Sequence, residues 1–241
     1  MPVISRIYQR IKKLIEKSEE DCRRIEVSLL EANPNAKLLD LGCADGKLTL
    51  NAAHKIGTSK IYGVEILDVD IGRAKANGIN VTYGDLNEKL TFENELFDVI
   101  FASHVIEHLS NTDTFVQEVY RVIKPGGYLV IATPNLAACI RIVFLLFGKL
   151  PPGTDVSDKF HLGGWHSKAQ VRDTLMPGHR RMFTPIACKE LLECHGFEIE
   201  RLITTGFFPL PNQIGRIMCN IDKYHATNIV IKARKSGKDK R

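Results

Sequence analysis

From Lys37 onward the chain alternates short apolar runs with segments of helical periodicity. The apolar runs are Leu38–Leu41, Ile61–Val64, Asn80–Tyr83, Phe97–Ala102 and Tyr128–Ala132, and the helical segments between them are Lys47–Lys55, Leu67–Ala76 and Thr112–Ile123. Strands that alternate with helices through short turns form parallel sheets covered on both faces. Because the crossovers are right-handed, the pattern predicts an α/β, Rossmann-like, doubly wound, mostly parallel sheet with a binding crevice at the carboxyl ends of its strands.

Ahead of this pattern, residues 1–34 are predicted to form an N-terminal helical segment, and residues 35–241 form one main domain. The first helix is amphipathic, with apolar residues at helical spacing, namely Ile4, Ile7, Ile11, Leu14 and Ile15. A second helix spans about Glu19 to Glu31 and stops before Pro34. The first helix either packs across one edge of the domain, the simpler interpretation, or lies on an anionic membrane surface.

After Pro134 the alternation breaks, which predicts a lid insertion after the fifth strand over about 135–183 and a second irregular insertion over about 206–224. A loop of about thirty residues within a compact domain tends to be functional. Regular elements resume with a helix at Thr184–Cys194, with Thr184 as its N-cap, and with strands at Phe197–Ile203 and Thr227–Ala233.

The net charge of +5 does not indicate a nucleic-acid-binding body. The tail 232–241 holds six Lys or Arg residues and one Asp, so it accounts for the whole excess and leaves the rest close to neutral. We expect this tail to be a solvated terminus rather than a binding arm. No nucleic-acid partner is therefore expected.

The six cysteines form no CxxC pair and show no zinc-ligand spacing. Together with the lack of a recognisable secretory signal, this pattern favours a reduced, cytoplasmic compartment. The longest apolar stretch, Ala137–Leu150, is interrupted by Arg141 and Lys149 and is too short to span a bilayer.

Polar groups follow three successive strands. Asp40-Leu41-Gly42-Cys43-Ala44-Asp45-Gly46 lies where a buried strand turns into a helix, and glycines there let the backbone turn tightly and approach a ligand. The second strand ends in Glu65, about twenty positions on, where a carboxylate can accept hydrogen bonds from both ribose hydroxyls. The third ends in Asp85-Leu86, where a carboxylate could hold an adenine amino group. The three strand ends together predict a nucleoside site.

These motifs resemble those of the class I methyltransferase family, especially its small-molecule methyltransferases with the pattern Asp-Leu-Gly-Cys-Gly-x-Gly. The resemblance covers about Lys37–Asn135 well, with Ala44 in place of the middle glycine, and it includes Phe97–Ser103 as a fourth strand and the Lys124-Pro125-Gly126-Gly127 turn before the fifth. It implies seven strands, the last antiparallel beside the fifth. It also implies S-adenosylmethionine as cofactor and S-adenosylhomocysteine as product, bound by Asp40, Gly42, Cys43, Ala44, Asp45, Gly46, Glu65, Ile66, Asp85, Leu86 and Ser103.

The candidate catalytic residues are His104, Glu107, His108 and His179. His104-Val105-Ile106-Glu107-His108 follows the fourth strand, where family members place substrate-facing residues. It resembles the Glu-x-x-Glu-His motif of metal-assisted ubiquinone-biosynthetic and small-RNA ribose methyltransferases, with His104 in place of the first Glu. A general base or substrate contact at His104, a metal site, or a loop tied down by hydrogen bonds are all open, and we assign no metal.

The segment Gly178–Thr184 resembles the stretch that precedes the next helix in many relatives. Its His179 could face the substrate or could be a structural histidine. His161 and His166 are expected to be solvated loop residues.

Asn135–Phe147 is apolar on nearly all sides, and core packing is the expected explanation. A lipid-tailed acceptor or peripheral contact with a membrane would also explain it.

The sequence thus predicts an S-adenosylmethionine-dependent methyltransferase acting on a small molecule, with a lipid-linked or glycan acceptor and transfer to oxygen as the finer expectation. A catalytically silent, cofactor-binding regulatory subunit and an RNA methyltransferase are the alternatives. The oligomeric state is not predicted.

Overall fold

The computed structural model describes residues 17–154, 156–157, 159–164, 170–171, 178–207, 210 and 212–237. The helices are α1 (17–28), α2 (Lys47–Ile56), α3 (Asp68–Ala76), α4 (Thr112–Val122), α5 (Cys139–Leu146), α6 (Pro185–Cys194) and α7 (Asn212–Ile221). The strands are β1 (Lys37–Leu41), β2 (Lys60–Glu65), β3 (Asn80–Tyr83), β4 (Phe97–Ser103), β5 (Ile123–Pro134), β6 (Phe160–His161), β7 (Gln170–Val171), β8 (Phe197–Thr205) and β9 (Asn228–Lys235). A short 3₁₀ turn, Ile106–His108, follows β4.

Seven strands form one sheet in the order β3-β2-β1-β4-β5-β9-β8. The first five are parallel, whereas β9 lies antiparallel between β5 and β8. The predicted Rossmann-like doubly wound sheet, with its last strand antiparallel beside the fifth, is confirmed. Because β1 to β4 all run the same way, the residues that follow them meet at one edge of the sheet.

Successive residues of the central strands supply two separate cores, as the period of two along a strand requires. Leu39 and Ile100 face a cluster that includes Phe115, Val116 and Val119 of α4 and Cys188 and Leu192 of α6. Their neighbours Leu38 and Phe101 face the other side, against Cys22 of α1 and Ala52, Ala53 and Ile56 of α2. Helices therefore cover both faces of the sheet, which explains why these strands read as continuous apolar runs.

The apolar helix after β5 is not a core helix, so the core-packing expectation for Asn135–Phe147 is wrong. The helix spans only Cys139–Leu146, and Leu145, Leu146 and Phe147 are 55%, 79% and 66% exposed. The side chain that it buries is Arg141, which donates to the carbonyls of Asn135 and Pro152. The helix packs through a charged residue because that guanidinium finds main-chain acceptors there.

No helix in the described part of the chain is both long enough and apolar enough to cross a membrane.

The two predicted insertions contain regular structure. The second is largely the helix α7, so the expectation of an irregular stretch over 206–224 is wrong there. Within the first, β6 and β7 form a two-stranded antiparallel ladder. The predicted first helix, residues 1–16, and the lid residues 165–169, including His166, lie outside the described residues.

The prediction of a solvated tail is wrong for residues 232–235, because these residues form the end of β9. Lys232 is buried and forms ion pairs with Glu31 and Glu200, while Lys235 pairs with Glu95 and donates to main-chain carbonyls. Lys232 and Lys235 thus neutralise the charges of acidic side chains of the domain instead of forming a free cationic arm. Residues 238–241 lie outside the described residues.

Phe101→Ala tests the core under the sheet. Phe101 is fully buried, so its truncation should lower the free energy of unfolding by about 3–5 kcal/mol. The matched control is Phe147→Ala, whose side chain is 66% exposed and should change stability by about 0.5 kcal/mol or less. Urea unfolding measures both, and equal effects would contradict the assignment of these two phenylalanines.

Candidate functional site

The loop after β1 approaches its neighbours too closely for larger residues. Gly42 has φ +77°, and a Cβ atom there would lie 2.9 Å from a methyl carbon of Val105. Ala44 also adopts a left-handed conformation, with φ +46°. Gly46 has φ +81° and starts α2. The sequence motif therefore encodes a tight turn that presents its backbone at the carboxyl edge of the sheet.

Glu65 ties this loop to the end of β2. Its buried carboxylate accepts hydrogen bonds from the backbone amides of Ala44 at 2.9 Å and Ile66 at 2.7 Å, and from Leu67 at 3.1 Å. Each carboxylate oxygen has two lone pairs, so Glu65 keeps acceptor capacity for a ligand. This arrangement fits a carboxylate that holds the loop in place and also accepts from hydroxyl groups.

The remaining predicted nucleoside residues lie beside Glu65 at the next strand ends. Asp85 accepts from the backbone and side-chain nitrogens of Asn87, both at 2.8 Å. Ile66 is 41% exposed, whereas Leu86 is buried. An exposed apolar side chain beside two carboxylates suits a flat, polar-edged ring such as adenine.

Asp40 is buried under the same loop. Thr49 donates its hydroxyl to the Asp40 carboxylate at 2.5 Å. Burial nevertheless raises the pKa of Asp40 to about 7, and the nearby carboxylates of Glu26 and Glu65 add to the rise. A buried carboxyl with one hydroxyl donor at the wall of a cavity fits a cationic ligand group, which would stabilise its ionised form.

One cavity of about 780 Å³ runs from this loop to the 3₁₀ turn after β4. Of the predicted cofactor residues, those along its wall are Asp40, Gly42, Cys43, Ala44, Asp45 and Ser103. All four predicted catalytic residues, His104, Glu107, His108 and His179, line it as well. Gly46, Glu65, Ile66, Asp85 and Leu86 are not part of that wall; they belong to the loop and strand ends beside it.

His104 is held by two neighbours. Its Nδ1 lies 3.3 Å from Glu107 Oε1, and its Nε2 lies 3.8 Å from Cys22 Sγ. Burial alone would lower the pKa of His104, but the hydrogen bonds to Cys22 and Glu107 outweigh it and raise that pKa well above its ordinary value. Burial likewise opposes ionisation of Glu107, but the interaction with His104 lowers the Glu107 pKa. His104 is therefore bridged between two buried side chains.

Glu107, His108 and His179 form a second group, although His179 lies far along the chain. Their ligand atoms lie within 4.8 Å of one another, and the two imidazole rings meet edge-on with centroids 5.0 Å apart. The carbonyl of Glu107 accepts from the amides of Arg180 and Arg181, which anchors the segment that carries His179. Two imidazoles and a carboxylate could act on protons or hold a divalent metal ion.

Sequence reasoning missed the contributions of α1 and of Arg141. Ser18, Cys22 and Glu26 are buried at successive four-residue intervals, so they share one face of α1. Ser18 and Arg141 also line the cavity. The available signals were a polar stripe at helical spacing and a single arginine inside an apolar helix.

A family model described as a methyltransferase domain matches residues 13–202. The ubiquinone biosynthesis O-methyltransferase of Rattus norvegicus is 35% identical over 138 residues, which cover 52% of this chain and 39% of the relative. The enzyme of the same name from Rhizobium johnstonii is 27% identical over 187 residues, covering 73% of this chain and 66% of the relative. The chain thus spans well under half the length of the mammalian relative.

Solved structures share the fold. An S-adenosylmethionine-dependent methyltransferase from Mesorhizobium loti superposes with a TM-score of 0.61 at 19% identity, covering 92% of this chain and 99% of the other. A methyltransferase from Methanosarcina mazei gives a TM-score of 0.60 at 20% identity, covering 86% and 95%. Because the methyltransferase-domain model matches most of its length, the chain belongs to the methyltransferase-domain family. Its sheet topology is that of the class I methyltransferase fold.

Proposed function

We propose that the protein is an S-adenosylmethionine-dependent methyltransferase that transfers a methyl group to an oxygen atom of a small-molecule acceptor. The observation that carries this proposal is that one continuous cavity joins the loop after β1 to the histidines after β4. A cofactor held by that loop would present its reactive end to the histidines. The names of the O-methyltransferase relatives support oxygen as the acceptor atom.

The cofactor would lie along the carboxyl ends of β1 to β4. Glu65 would accept from the ribose hydroxyls, Asp85, Leu86 and Ile66 would hold the adenine, and Asp40 and Ser103 would hold the amino-acid end. S-adenosylmethionine supplies a methyl group on a sulfonium sulfur, where in-line displacement needs only a positioned nucleophile. The protein's main task is thus to orient the acceptor and remove its proton.

His108 and His179 are the proposed proton acceptors, because both line the cavity and converge on Glu107. Glu107 has a lowered pKa and accepts from Thr133 Oγ1 at 3.1 Å, so it can stabilise the imidazolium that forms. His104 has both ring nitrogens directed at protein partners, which favours a positioning role. The acceptor hydroxyl would bind between the two imidazoles and the cofactor loop.

The acceptor is proposed to carry an apolar tail and to be reached at a membrane surface. Ile140 lines the cavity, and the exposed Leu145, Leu146 and Phe147 lie at the far end of the same helix. The start of α5 is joined to the segment after α7 by the hydrogen bond from Cys139 N to the carbonyl of His225. That second helix exposes further apolar side chains, Ile214, Ile217 and Ile221. Exposed apolar side chains on the helix that carries Ile140 and on a helix joined to it suit a lipid-tailed molecule.

Glu65→Ala should weaken binding of S-adenosylmethionine and S-adenosylhomocysteine by about tenfold or more, because it removes the ribose acceptor and the support of the Ala44 amide. Isothermal titration calorimetry measures both affinities. Glu190→Ala, on the exposed side of α6, is the control and should bind as the wild type does. Absence of binding to the wild-type protein would refute the cofactor assignment.

His108→Asn and His179→Asn should each lower kcat by about 10²–10⁴-fold on a methylatable acceptor, since each removes a proton-accepting imidazole. Affinity for the cofactor should stay within about twofold, because binding depends on groups across the cavity. The control is His54→Asn, on the exposed side of α2.

Methyl transfer from radiolabelled S-adenosylmethionine to hydroxyl-bearing acceptors provides the assay for these variants. Full activity in both would show that neither histidine removes the proton. Cofactor binding with no transfer to any small molecule would favour the silent regulatory subunit. Transfer to RNA alone would favour an RNA methyltransferase.

The double variant Leu146→Glu and Phe147→Glu should reduce binding to phosphatidylglycerol vesicles by at least about tenfold, since two exposed apolar side chains contribute on the order of 1.5–3 kcal/mol each when buried. Vesicle co-sedimentation measures the effect. Ile186→Glu, at a 54% exposed site on α6, is the matched control. Equal binding by all three proteins, or none by the wild type, would contradict the membrane proposal.

A further inference from the structure

Beneath the cavity, α1 brings two buried ligand-type side chains to His104. Cys22 and Glu26 are both 0% exposed, and Cys22 donates its thiol to Glu26 Oε1 at 3.3 Å. On its other side Cys22 Sγ lies 3.8 Å from His104 Nε2. The sulfur, a carboxylate oxygen and the imidazole nitrogen all lie within 4.8 Å of one another.

The carboxylate of Glu26 is incompletely bonded. Its Oε2 is buried and has no hydrogen-bond partner in the described part of the chain. No lysine or arginine among the described residues forms an ion pair with Glu26, and the next carboxyl, Asp40, adds negative charge. A buried carboxylate oxygen without a hydrogen-bond partner is costly and keeps its lone pairs for a ligand, so this oxygen is a candidate metal ligand.

The spacing of the three atoms suits a tetrahedral transition metal. With Zn–S of about 2.3 Å and Zn–N of about 2.0–2.1 Å, a tetrahedral ion separates sulfur from nitrogen by about 3.5 Å. The observed separations of 3.8 Å and 3.3 Å need only small side-chain adjustments. Thiolate, imidazole and carboxylate together select Zn²⁺ over Mg²⁺ or Ca²⁺, which prefer oxygen donors only.

His104 is also arranged as metal-binding histidines usually are. A ligating histidine donates its second ring nitrogen to a carboxylate that fixes the tautomer. Here Nδ1 faces Glu107 Oε1 at 3.3 Å, which directs Nε2 toward Cys22. The backbone of His104 has φ +53°, an unusual conformation for a histidine, and its amide donates to the carbonyl of Ala132. The strained residue is thus fixed from both its side chain and its backbone.

We propose that Cys22 Sγ, the Glu26 carboxylate and His104 Nε2 form a Zn²⁺ site between α1 and the turn after β4. Zn²⁺ binding releases the thiol proton of Cys22 and the Nε2 proton of His104, and the thiolate and carboxylate neutralise the two positive charges of the ion. Three protein ligands leave a fourth position for water. The site joins α1 to the wall of the cavity, so the metal would hold α1 against the turn after β4. This proposal does not depend on the proposed acceptor.

The test is titration of the chelator-treated, reduced full-length protein with Co²⁺, followed by displacement with Zn²⁺. A tetrahedral Co²⁺ site with a cysteine ligand gives strong visible d–d bands and a near-ultraviolet thiolate-to-metal charge-transfer band, both lost when Zn²⁺ displaces the cobalt. We expect one thiolate-bound metal per chain in the wild type. Cys22→Ser should abolish the charge-transfer band, and Glu26→Gln should weaken the affinity by about tenfold or more.

Two control variants distinguish metal binding at this site from metal binding by other side chains. Cys139→Ser changes a partly buried cysteine elsewhere and should keep the spectrum unchanged. His179→Asn disrupts the Glu107–His108–His179 group and should also keep the charge-transfer band. Circular dichroism of Cys22→Ser and Cys22→Ala checks that the fold is intact. A wild-type spectrum without the band would overturn the proposal, as would metal binding that survives Cys22→Ser and disappears in His179→Asn.

Discussion

The hydrogen bonds from three backbone amides to the buried Glu65 carboxylate are the constraint on which the site depends. They fix the loop after β1 against the end of β2, so that two strand ends act as one rigid surface. Gly42 lies in that loop, whereas Asp40 precedes it in β1 and is placed by the pairing of β1 with β2 and β4. A buried carboxylate bonded to several amides is fixed in position, and it keeps a lone pair that can accept a hydrogen bond from a ligand.

The other side of the cavity is assembled from distant parts of the chain. The turn after β4 supplies His104 and Glu107, the segment before α6 supplies His179, and α1 covers them with Cys22. These contacts join residues more than seventy positions apart. The matched methyltransferase domain thus contains both walls of the cavity, with the loop after β1 on one side and the turn after β4 and the segment before α6 on the other.

Strong periodic signals predicted the fold well, and the errors share one physical origin. The central strands β1 and β4 lie close to their predicted bounds, because both are buried on both faces and bounded by turn residues. The apolar helix α5 was expected in the core, yet its apolar side is exposed and Arg141 is inside. An apolar composition allows a helix to be buried, but the elements that pack against it determine which of its side chains are buried. Likewise, Lys232 and Lys235 belong to a basic sequence that is typical of a solvated tail, but in the structure they form ion pairs with Glu31 and Glu95 beside β9.

The sequence by itself determined the sheet and the edge at which the predicted nucleoside residues meet. The carboxyl ends of parallel strands reach the same edge, so the local motifs are enough to place Gly42, Glu65 and Asp85 there. It also supplied His104, Glu107 and His108 as one cluster, since they are adjacent along the chain. Only the tertiary structure decided that Cys22 and Glu26 meet His104, and that His179 meets His108. These contacts between distant residues depend on how the helices and insertions pack against the sheet, and no local pattern of one sequence encodes that packing.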